Sequence, residues 1–191
     1  MIEYLVKLDT DLFLFLNGLH SPFWDGIMLF ASGKLTWLPL YLLLVYFIAR
    51  RYRWSTLWWL LAVAIVVLLA DQLSVHLFKN VFQRLRPCHN PDLSGLIHLV
   101  GRCGGKFGFV SSHAANTFGV AVFLSMLFSN RWASFGLLLW AAFVSYSRIY
   151  LGVHYPADVF VGAILGSVIG YTVWYTSQQI MKKELKRVKA N

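Results

Sequence analysis

The residue types best suited to chemistry lie in three short segments of the chain. The first segment reads Lys79-Asn-Val-Phe-Gln-Arg-Leu-Arg86-Pro87. It follows an apolar stretch of helix length, so we expect Lys79 and Arg86 near a helix C-terminus, where cations are favoured, and we expect Pro87 to stop the helix. The two cations could bind an anionic substrate, or they could extend their stems along an apolar interface toward water.

The second segment is Val110-Ser111-Ser112-His113, at the start of another apolar stretch. Serines at a helix start commonly cap free backbone N–H groups, which is one interpretation of the pair. The same N–H groups, together with two hydroxyls, also form an anion-binding site. His113 adds a proton donor to this turn.

The third segment reads Ser147-Arg148-Ile-Tyr-Leu-Gly-Val-His154-Tyr-Pro-Ala-Asp158. Pro156 suits the first position of a helix, which places Asp158 in the first turn. From there the carboxylate can reach back to the His154 ring. A histidine bonded to a buried carboxylate is held in one tautomer and keeps its other nitrogen free as a nucleophile. The alternative is an interfacial His–Asp pair with no role in chemistry.

Together the three segments resemble the tripartite signature of the type-2 phosphatidic acid phosphatase family, whose site is similar to that of the vanadium haloperoxidases. That signature has a lysine, six residues and Arg-Pro; then Pro-Ser-Gly-His; then Ser-Arg, five residues, a histidine, three residues and an aspartate. The first and third parts match in type and spacing. The second departs, with Val110 for the proline and Ser112 for the glycine. The added side chain bears on the shape of the substrate more than on the reaction.

The resemblance implies a role for each matching residue. His154 would be the nucleophile that forms a phosphohistidine. His113 would protonate the leaving oxygen and then activate a water molecule, while Asp158 would orient His154 and stabilise its charge. The phosphate oxygens would be bound by Lys79, Arg86, Arg148, Ser111 and the backbone N–H of Ser112.

The general requirements of phosphoryl transfer agree with this assignment. The reaction needs dense positive charge around the phosphate oxygens, an in-line nucleophile and an acid for the leaving group. Three cations and two helix N-termini can supply the charge without Mg²⁺, and no carboxylate cluster is expected on this face to hold such an ion. We therefore expect a metal-independent phosphatase without a cofactor.

Two other functions stay open at this point. A metal-dependent enzyme could use His113, His154 and Asp158 as a two-histidine, one-carboxylate set, although three fixed cations beside a metal ion are electrostatically unfavourable.

A transporter or scaffold is the other alternative, because ionisable residues within an apolar segment are costly and usually functional. Asp71, Gln72, Ser74 and His76 could line a polar path. We favour a supporting role for Asp71, paired with a cation of the bundle, because His76 and Lys79 follow on the same helix.

The composition indicates what kind of structure holds these three segments in place. Of the 191 residues, 58% are hydrophobic and 13% charged, and the mean hydropathy is +0.61. A soluble domain usually carries about twice that charged fraction. The apolar residues also come in long blocks, so the composition predicts an integral membrane protein without a separate soluble domain.

Five apolar segments have roughly helical length: 37–49, 57–78, 114–128, 132–146 and 159–175. Residues 12–16 and 23–30 are also largely apolar, but Gly18, Pro22 and Asp25 interrupt them. An interfacial helix over 1–21, followed by a short tilted span, fits this pattern. We expect an all-α fold: one domain over 1–191, a polytopic membrane helical bundle of about six transmembrane helices.

The charges predict the orientation of the bundle. The formal net charge is +9, and its local clusters at 50–53 and in the tail at 180–191 are typical of cytoplasmic loops rather than of nucleic-acid binding. The opposite side would hold the loop 79–110, which is also basic. Basic residues on this side depart from the usual concentration of positive charge in cytoplasmic loops, and binding of an anionic substrate would explain them. We therefore expect a multi-pass protein of the inner (plasma) membrane, with its site facing the periplasm or the outside.

The substrate predicted by this placement is a membrane lipid phosphate in the bilayer. Undecaprenyl diphosphate, phosphatidylglycerophosphate, phosphatidic acid and lipid A all remain candidates.

Cys88 and Cys103 are the two cysteines; they could pair in an oxidising compartment or remain free thiols. Three further histidines are interpreted as ordinary loop residues: His20, His89 and His98.

Overall fold

The computed structural model describes residues 2–190, with side chains described up to residue 184. Every regular element in this range is helical, which confirms the predicted all-α fold. The basic residues beyond 184 in the predicted tail lie outside the described side chains. The main helices are α1 (Ile2–Gly18), α2 (Pro22–Ser32), α3 (Leu38–Tyr52), α4 (Thr56–Leu73), a short α5 (Asn80–Phe82), α6 (Ser112–Phe128), α7 (Arg131–Tyr150) and α8 (Pro156–Ala190).

The five predicted apolar segments correspond to α3, α4, α6, α7 and α8. Two stretches, Leu38–Phe82 and Pro156–Glu184, are long and apolar enough to cross a membrane, and Ser112–Phe128 is a shorter apolar helix. Sharp turns separate neighbouring helices. Ser129 ends α6 in the left-handed region at φ 51°, and the Asn130 side chain accepts hydrogen bonds from two N–H groups at the start of α7.

The packing of α6 on α8 is close because α8 carries glycines at every fourth position. A Cβ atom at Gly162 would lie 2.6 Å from the Ser111 carbonyl oxygen, and Cβ atoms at Gly166 and Gly170 would collide with the α6 backbone. Small residues at this spacing let membrane helices approach backbone to backbone. The approach holds the N-termini of both helices together, and the Ser111 N–H donates to the Asp158 carbonyl at 2.9 Å.

The stretch that follows α4 departs from the expected helix. Residues Ser74–Lys79 form a π-helical turn, and the chain leaves the helix after Phe82, where Gln83 adopts a left-handed φ of 49°. The prediction that Pro87 stops the helix is therefore wrong, because the helix ends before Arg86. Arg86 lies in extended backbone instead of at a helix C-terminus.

The long loop therefore begins at Gln83 rather than at Lys79. Its two ends pair: Leu85 forms an antiparallel bridge with Phe107, and the Arg86 N–H donates to the Lys106 carbonyl at 3.1 Å. Cys88 and Cys103 are joined by a disulfide, as one of the two alternatives predicted. The loop is thus closed on itself next to Arg86.

Helices α1 and α2 pack on the C-terminal end of α7. The Asn17 side chain donates to the Tyr150 carbonyl at 2.7 Å, and the Tyr150 hydroxyl donates to Asp25 at 2.7 Å. Pro22 and Asp25 do not break a helix here, because Pro22 opens α2 and Asp25 lies in its first turn. Proline without an N–H fits this first position.

Candidate active site

His154 and Asp158 form the buried centre of the site. The His154 Nδ1 lies 3.3 Å from the Asp158 Oδ2, and the two residues are 1% and 0% exposed. Pro156 opens α8 as predicted, so Asp158 falls in its first turn, where it also accepts the Tyr155 N–H at 3.1 Å. The carboxylate therefore has a fixed position from which it holds the ring.

Arg86 defines the tautomer of this histidine. Its Nη1 lies 2.8 Å from the His154 Nε2. A guanidinium can only donate hydrogen bonds, so Nε2 is the acceptor and the ring proton resides on Nδ1, toward Asp158. The nitrogen with the free electron pair thus faces a cation.

The electrostatics keep His154 neutral. Burial, with added repulsion from Arg86, Arg148 and Lys79, lowers the pKa of His154 well below its ordinary value. A buried imidazole among cations resists protonation because the charged form would be both desolvated and repelled. At neutral pH the ring is consequently a base and a potential nucleophile, surrounded by groups that attract an anion.

Arg86 is fixed by backbone contacts as well. Its Nε donates to the Gly105 carbonyl at 2.7 Å, and its Nη1 donates to the Val153 carbonyl at 3.1 Å. Gly105 lies two residues beyond Cys103, and Arg86 lies two residues before Cys88. The disulfide therefore closes the loop that holds this guanidinium beside His154.

Lys79 reaches the second segment from the π-helical turn. Its Nζ donates to the Ser112 hydroxyl at 2.6 Å. A π turn holds one residue more than an α-helical turn, which rotates every later side chain by about 100° around the axis. The turn therefore determines which way Lys79 points, and the sequence pattern gave no sign of it.

Ser111 and Arg148 carry polar atoms without partners among the described residues. The Ser111 hydroxyl is fully buried and does not cap α6, contrary to the simpler interpretation of this serine. Arg148 donates to the Ser32 hydroxyl, but its Nε is buried and unpaired. Buried polar groups without partners are rare and costly, and a phosphate oxygen would satisfy both donors.

His113 lies on the other side of this group, in the first turn of α6. Its ring contacts the backbone of Ser32, the residue that Arg148 binds through its side chain. It also lines a cavity that extends into the bundle. All eight residues predicted for the site thus lie where the N-termini of α6 and α8 meet the ends of α5 and α7.

Sequence reasoning missed two residues of this network, Arg84 and Asp9. The Arg84 guanidinium donates to the Asp158 Oδ1 at 3.1 Å and to the Asp9 Oδ2 at 2.6 Å, and it stacks 4.0 Å above the Tyr155 ring. The other oxygen of Asp9 accepts the Ala157 N–H at 2.8 Å. Arg84 lies within the first segment, so its proximity to Arg86 was the available signal; Asp9 had none.

His98 is also more than an ordinary loop residue. Its Nε2 lies 2.8 Å from the Asp25 carboxylate, and its ring stacks on His20 at 3.8 Å. This cluster ties the long loop to α2. His20 and His98 do lie in loops, as predicted, but they are not ordinary ones, because α2 brings a carboxylate that the sequence could not place near them.

The alternatives find little support in this arrangement. Within the described residues, no three histidine, cysteine or acidic side chains come together as a metal-binding group. Asp71 makes no ion pair in the described part of the chain, and His76 bonds Gln72 instead of a charged partner. The predicted pairing of Asp71 with a cation does not form as a direct ion pair, but the charge of Asp71 still acts on Lys79; Asp71 also lines the cavity beside His113.

Comparison with known proteins identifies the family. The PAP2 superfamily matches residues 56–182, more than half of the chain. A lipid A 4'-phosphatase from Bacteroides thetaiotaomicron is 43% identical over 94% of this chain and 81% of its own length. An undecaprenyl-diphosphatase from Sulfolobus acidocaldarius is 30% identical over 98% of this chain and 88% of its own.

A solved structure gives the same result. The crystal structure of LpxE from Aquifex aeolicus superimposes with a TM-score of 0.65 at 26% identity, covering 87% of this chain and 94% of that one. The resemblance first read from three short segments extends over most of the molecule. The chain belongs to the PAP2 superfamily.

Proposed function

We propose that this membrane protein removes phosphate from a lipid phosphate or diphosphate through a phosphohistidine on His154. Family membership and the relatives confirm the predicted enzyme class, a lipid phosphatase. The observation that carries the residue assignment is the position of the buried His154, whose Nδ1 faces Asp158 and whose Nε2 faces Arg86. No metal ion is required by this scheme.

In the first step the His154 Nε2 attacks phosphorus, and the bond from phosphorus to the lipid oxygen breaks. His113, protonated when the negative charge of the bound phosphate offsets the neighbouring cations, gives that oxygen a proton. Arg86 transfers its hydrogen bond from Nε2 to a phosphate oxygen, while Lys79 and Arg148 neutralise the others. The Ser111 hydroxyl and the Ser112 N–H complete the set of donors.

In the second step a water molecule attacks phosphorus after losing a proton to His113. Phosphate leaves, and the electron pair of the phosphorus–nitrogen bond returns to His154. Asp158 stabilises the positive charge that the ring carries in the intermediate, as a buried carboxylate does for an imidazolium in other enzymes. Phosphoryl transfer of this kind depends on positioning and charge more than on covalent help from the protein.

The membrane arrangement is part of the proposal. Helices α3, α4, α6, α7 and α8 would cross the bilayer, with the site at the outer face and the basic tail at 180–191 in the cytoplasm. The predicted count of six spans would require α2 as well, but both ends of α2 contact the end of α7, through Ser21 with Tyr150 and Ser32 with Arg148. We therefore place α1 and α2 on the outer face of one phosphatase domain.

The test is to trap the intermediate on purified protein. We expect phosphate release from a long-chain lipid phosphate to persist in EDTA, to be inhibited by vanadate and to vanish in His154→Gln. The matched control is His76→Gln, since the His76 side chain bonds Gln72, which lies outside the site.

With an aryl phosphate, whose leaving group needs no acid, His113→Ala should accumulate a base-stable phosphohistidine on the peptide containing His154. Finding the phosphate on another residue, or activity that depends on a metal ion, would refute the proposed mechanism.

A further inference from the structure

The C-terminal end of α2 lies against the candidate active site. The last carbonyl groups of a helix have no partner inside it, and two of those in α2 find partners nearby. The Ala31 carbonyl accepts the indole N–H of Trp37 at 2.8 Å, and the Ser32 backbone contacts the His113 ring. The N–H groups at this end of a helix are used within it, so the group that meets the ring is the Ser32 carbonyl.

The side chain of Ser32 contacts a second group of the site. Its hydroxyl accepts a hydrogen bond from the Arg148 Nη1, while the buried Nε of the same guanidinium has no partner among the described residues. In the proposed reaction Arg148 binds phosphate and His113 is the acid. One residue outside the three matching segments therefore contacts a phosphate-binding group through its side chain and the acid through its backbone.

We propose that Ser32 is a positioning residue, which fixes the general acid and the phosphate-binding arginine relative to each other. The assignment rests on the proposed function, because His113 and Arg148 have these roles only in that reaction. A ring nitrogen that donates to a carbonyl carries a proton, so the other nitrogen of His113 exchanges a proton with the leaving oxygen and with water. The partial negative charge at a helix C-terminus also stabilises the positive charge of the ring while it acts as the acid.

The two contacts of Ser32 should affect different steps of the reaction. With Nη1 bound to the hydroxyl, the edge of Arg148 that carries Nε is free to donate to a phosphate oxygen. Without that bond the guanidinium can turn away, which should slow the reaction of every substrate. Loss of the carbonyl contact should misplace only the acid, and it should slow only those substrates whose leaving group needs a proton.

The test compares phenyl phosphate with para-nitrophenyl phosphate, which are similar in size but differ in how much their leaving groups need an acid. Ser32→Ala removes the hydroxyl and keeps the backbone carbonyl. We expect kcat/KM to fall about tenfold for both substrates, because a hydrogen bond to a charged group is lost. Ser32→Thr, which keeps a hydroxyl, should restore most of the activity. Ser94→Ala, at an exposed serine of the long loop, is the control and should change neither value.

A second pair of variants tests the carbonyl contact. Trp37→Phe removes the indole N–H that binds the last turn of α2, but it keeps an aromatic ring beside Trp140. Because the end of α2 is then held less firmly against His113, we expect kcat/KM to fall about tenfold for phenyl phosphate and to stay within about twofold for para-nitrophenyl phosphate. Trp24→Phe changes a partly exposed tryptophan of the same helix and should change neither value.

Full activity of Ser32→Ala, or an equal loss for the two substrates in Trp37→Phe, would overturn the positioning role and leave the phosphatase mechanism standing. If Trp37→Phe does not fold, the same comparison is made in Gly33→Ala, whose Cβ would lie 2.5 Å from the Thr36 hydroxyl and displace this end of α2. Wild-type protein that hydrolyses neither these aryl phosphates nor a lipid phosphate would instead refute the proposed function.

Discussion

Replacing Arg84 with methionine should slow turnover without weakening substrate binding. The guanidinium joins Asp9 and Asp158 at 2.6 and 3.1 Å, and Asp158 is fully buried. Methionine keeps an apolar stem but removes a hydrogen bond to a charged group, which is worth about 1.5–3 kcal/mol. Since about 1.36 kcal/mol corresponds to a tenfold change in rate, kcat should fall roughly tenfold to a hundredfold.

The binding constant should hardly change because Arg84 is occupied by two carboxylates. The assay is steady-state phosphate release from one long-chain lipid phosphate in micelles, with kcat and KM determined separately. Asp9→Asn is the matched control: it removes the charge at the far end of Arg84 and leaves the contact with Asp158. Its loss of kcat should be smaller than that of Arg84→Met.

A double-mutant cycle with Asp158→Asn identifies the route by which Arg84 acts. If Arg84 works only through this carboxylate, the double variant should be no slower than Asp158→Asn alone. Losses that multiply would contradict the reasoning. So would a raised KM with an intact kcat, which would assign Arg84 to the phosphate itself.

Three further predictions follow from the same geometry. Asp158→Asn should slow turnover less than His154→Ala, because the ring is misoriented rather than missing; equal kcat values would contradict this. Removing the Cys88–Cys103 bridge in a double serine variant should cost roughly 3 kcal/mol of stability and lower the melting temperature, and quantitative alkylation of both thiols in unreduced wild type would exclude the bridge. Long-chain lipid phosphates should show a higher kcat/KM than short-chain ones in matched micelles, since each buried methylene contributes about 0.8 kcal/mol; equal values would indicate a general phosphatase.

The sequence predicted helices where apolar blocks are long and uninterrupted. The segment 132–146 became α7, and Asn130 caps it with its side chain, as local propensity favours. The end of the helix that contains Lys79 was harder to predict, because nothing in its residues indicates a π turn or the left-handed Gln83 that ends it. Pro87 was the strongest local stop signal, yet the chain had already left the helix.

The site residues were predictable for a similar reason. Pro156 and Asp158 are neighbours along one helix, so spacing alone determines that the carboxylate can reach His154. The bond between Lys79 and Ser112 joins residues 33 apart, and the motif resemblance rather than periodicity pointed to it. Motif spacing therefore identifies the residues, while packing determines which atoms meet.

The contacts that Asp9 makes with Arg84 and Ala157 could not be predicted from motif spacing, because they join segments that are far apart in the sequence. Asp9 is 75 residues from Arg84 and 148 from Ala157, and its two carboxylate oxygens bind one residue each. An acidic residue on the polar face of an N-terminal helix is usually solvated, so the sequence around Asp9 predicts no partner for it. In this fold α1 crosses the start of α8, and Asp9 becomes an acceptor for both the helix terminus and Arg84. Asp9 thus holds in place Arg84, the cation that balances the charge of Asp158, so α1 supports the candidate active site.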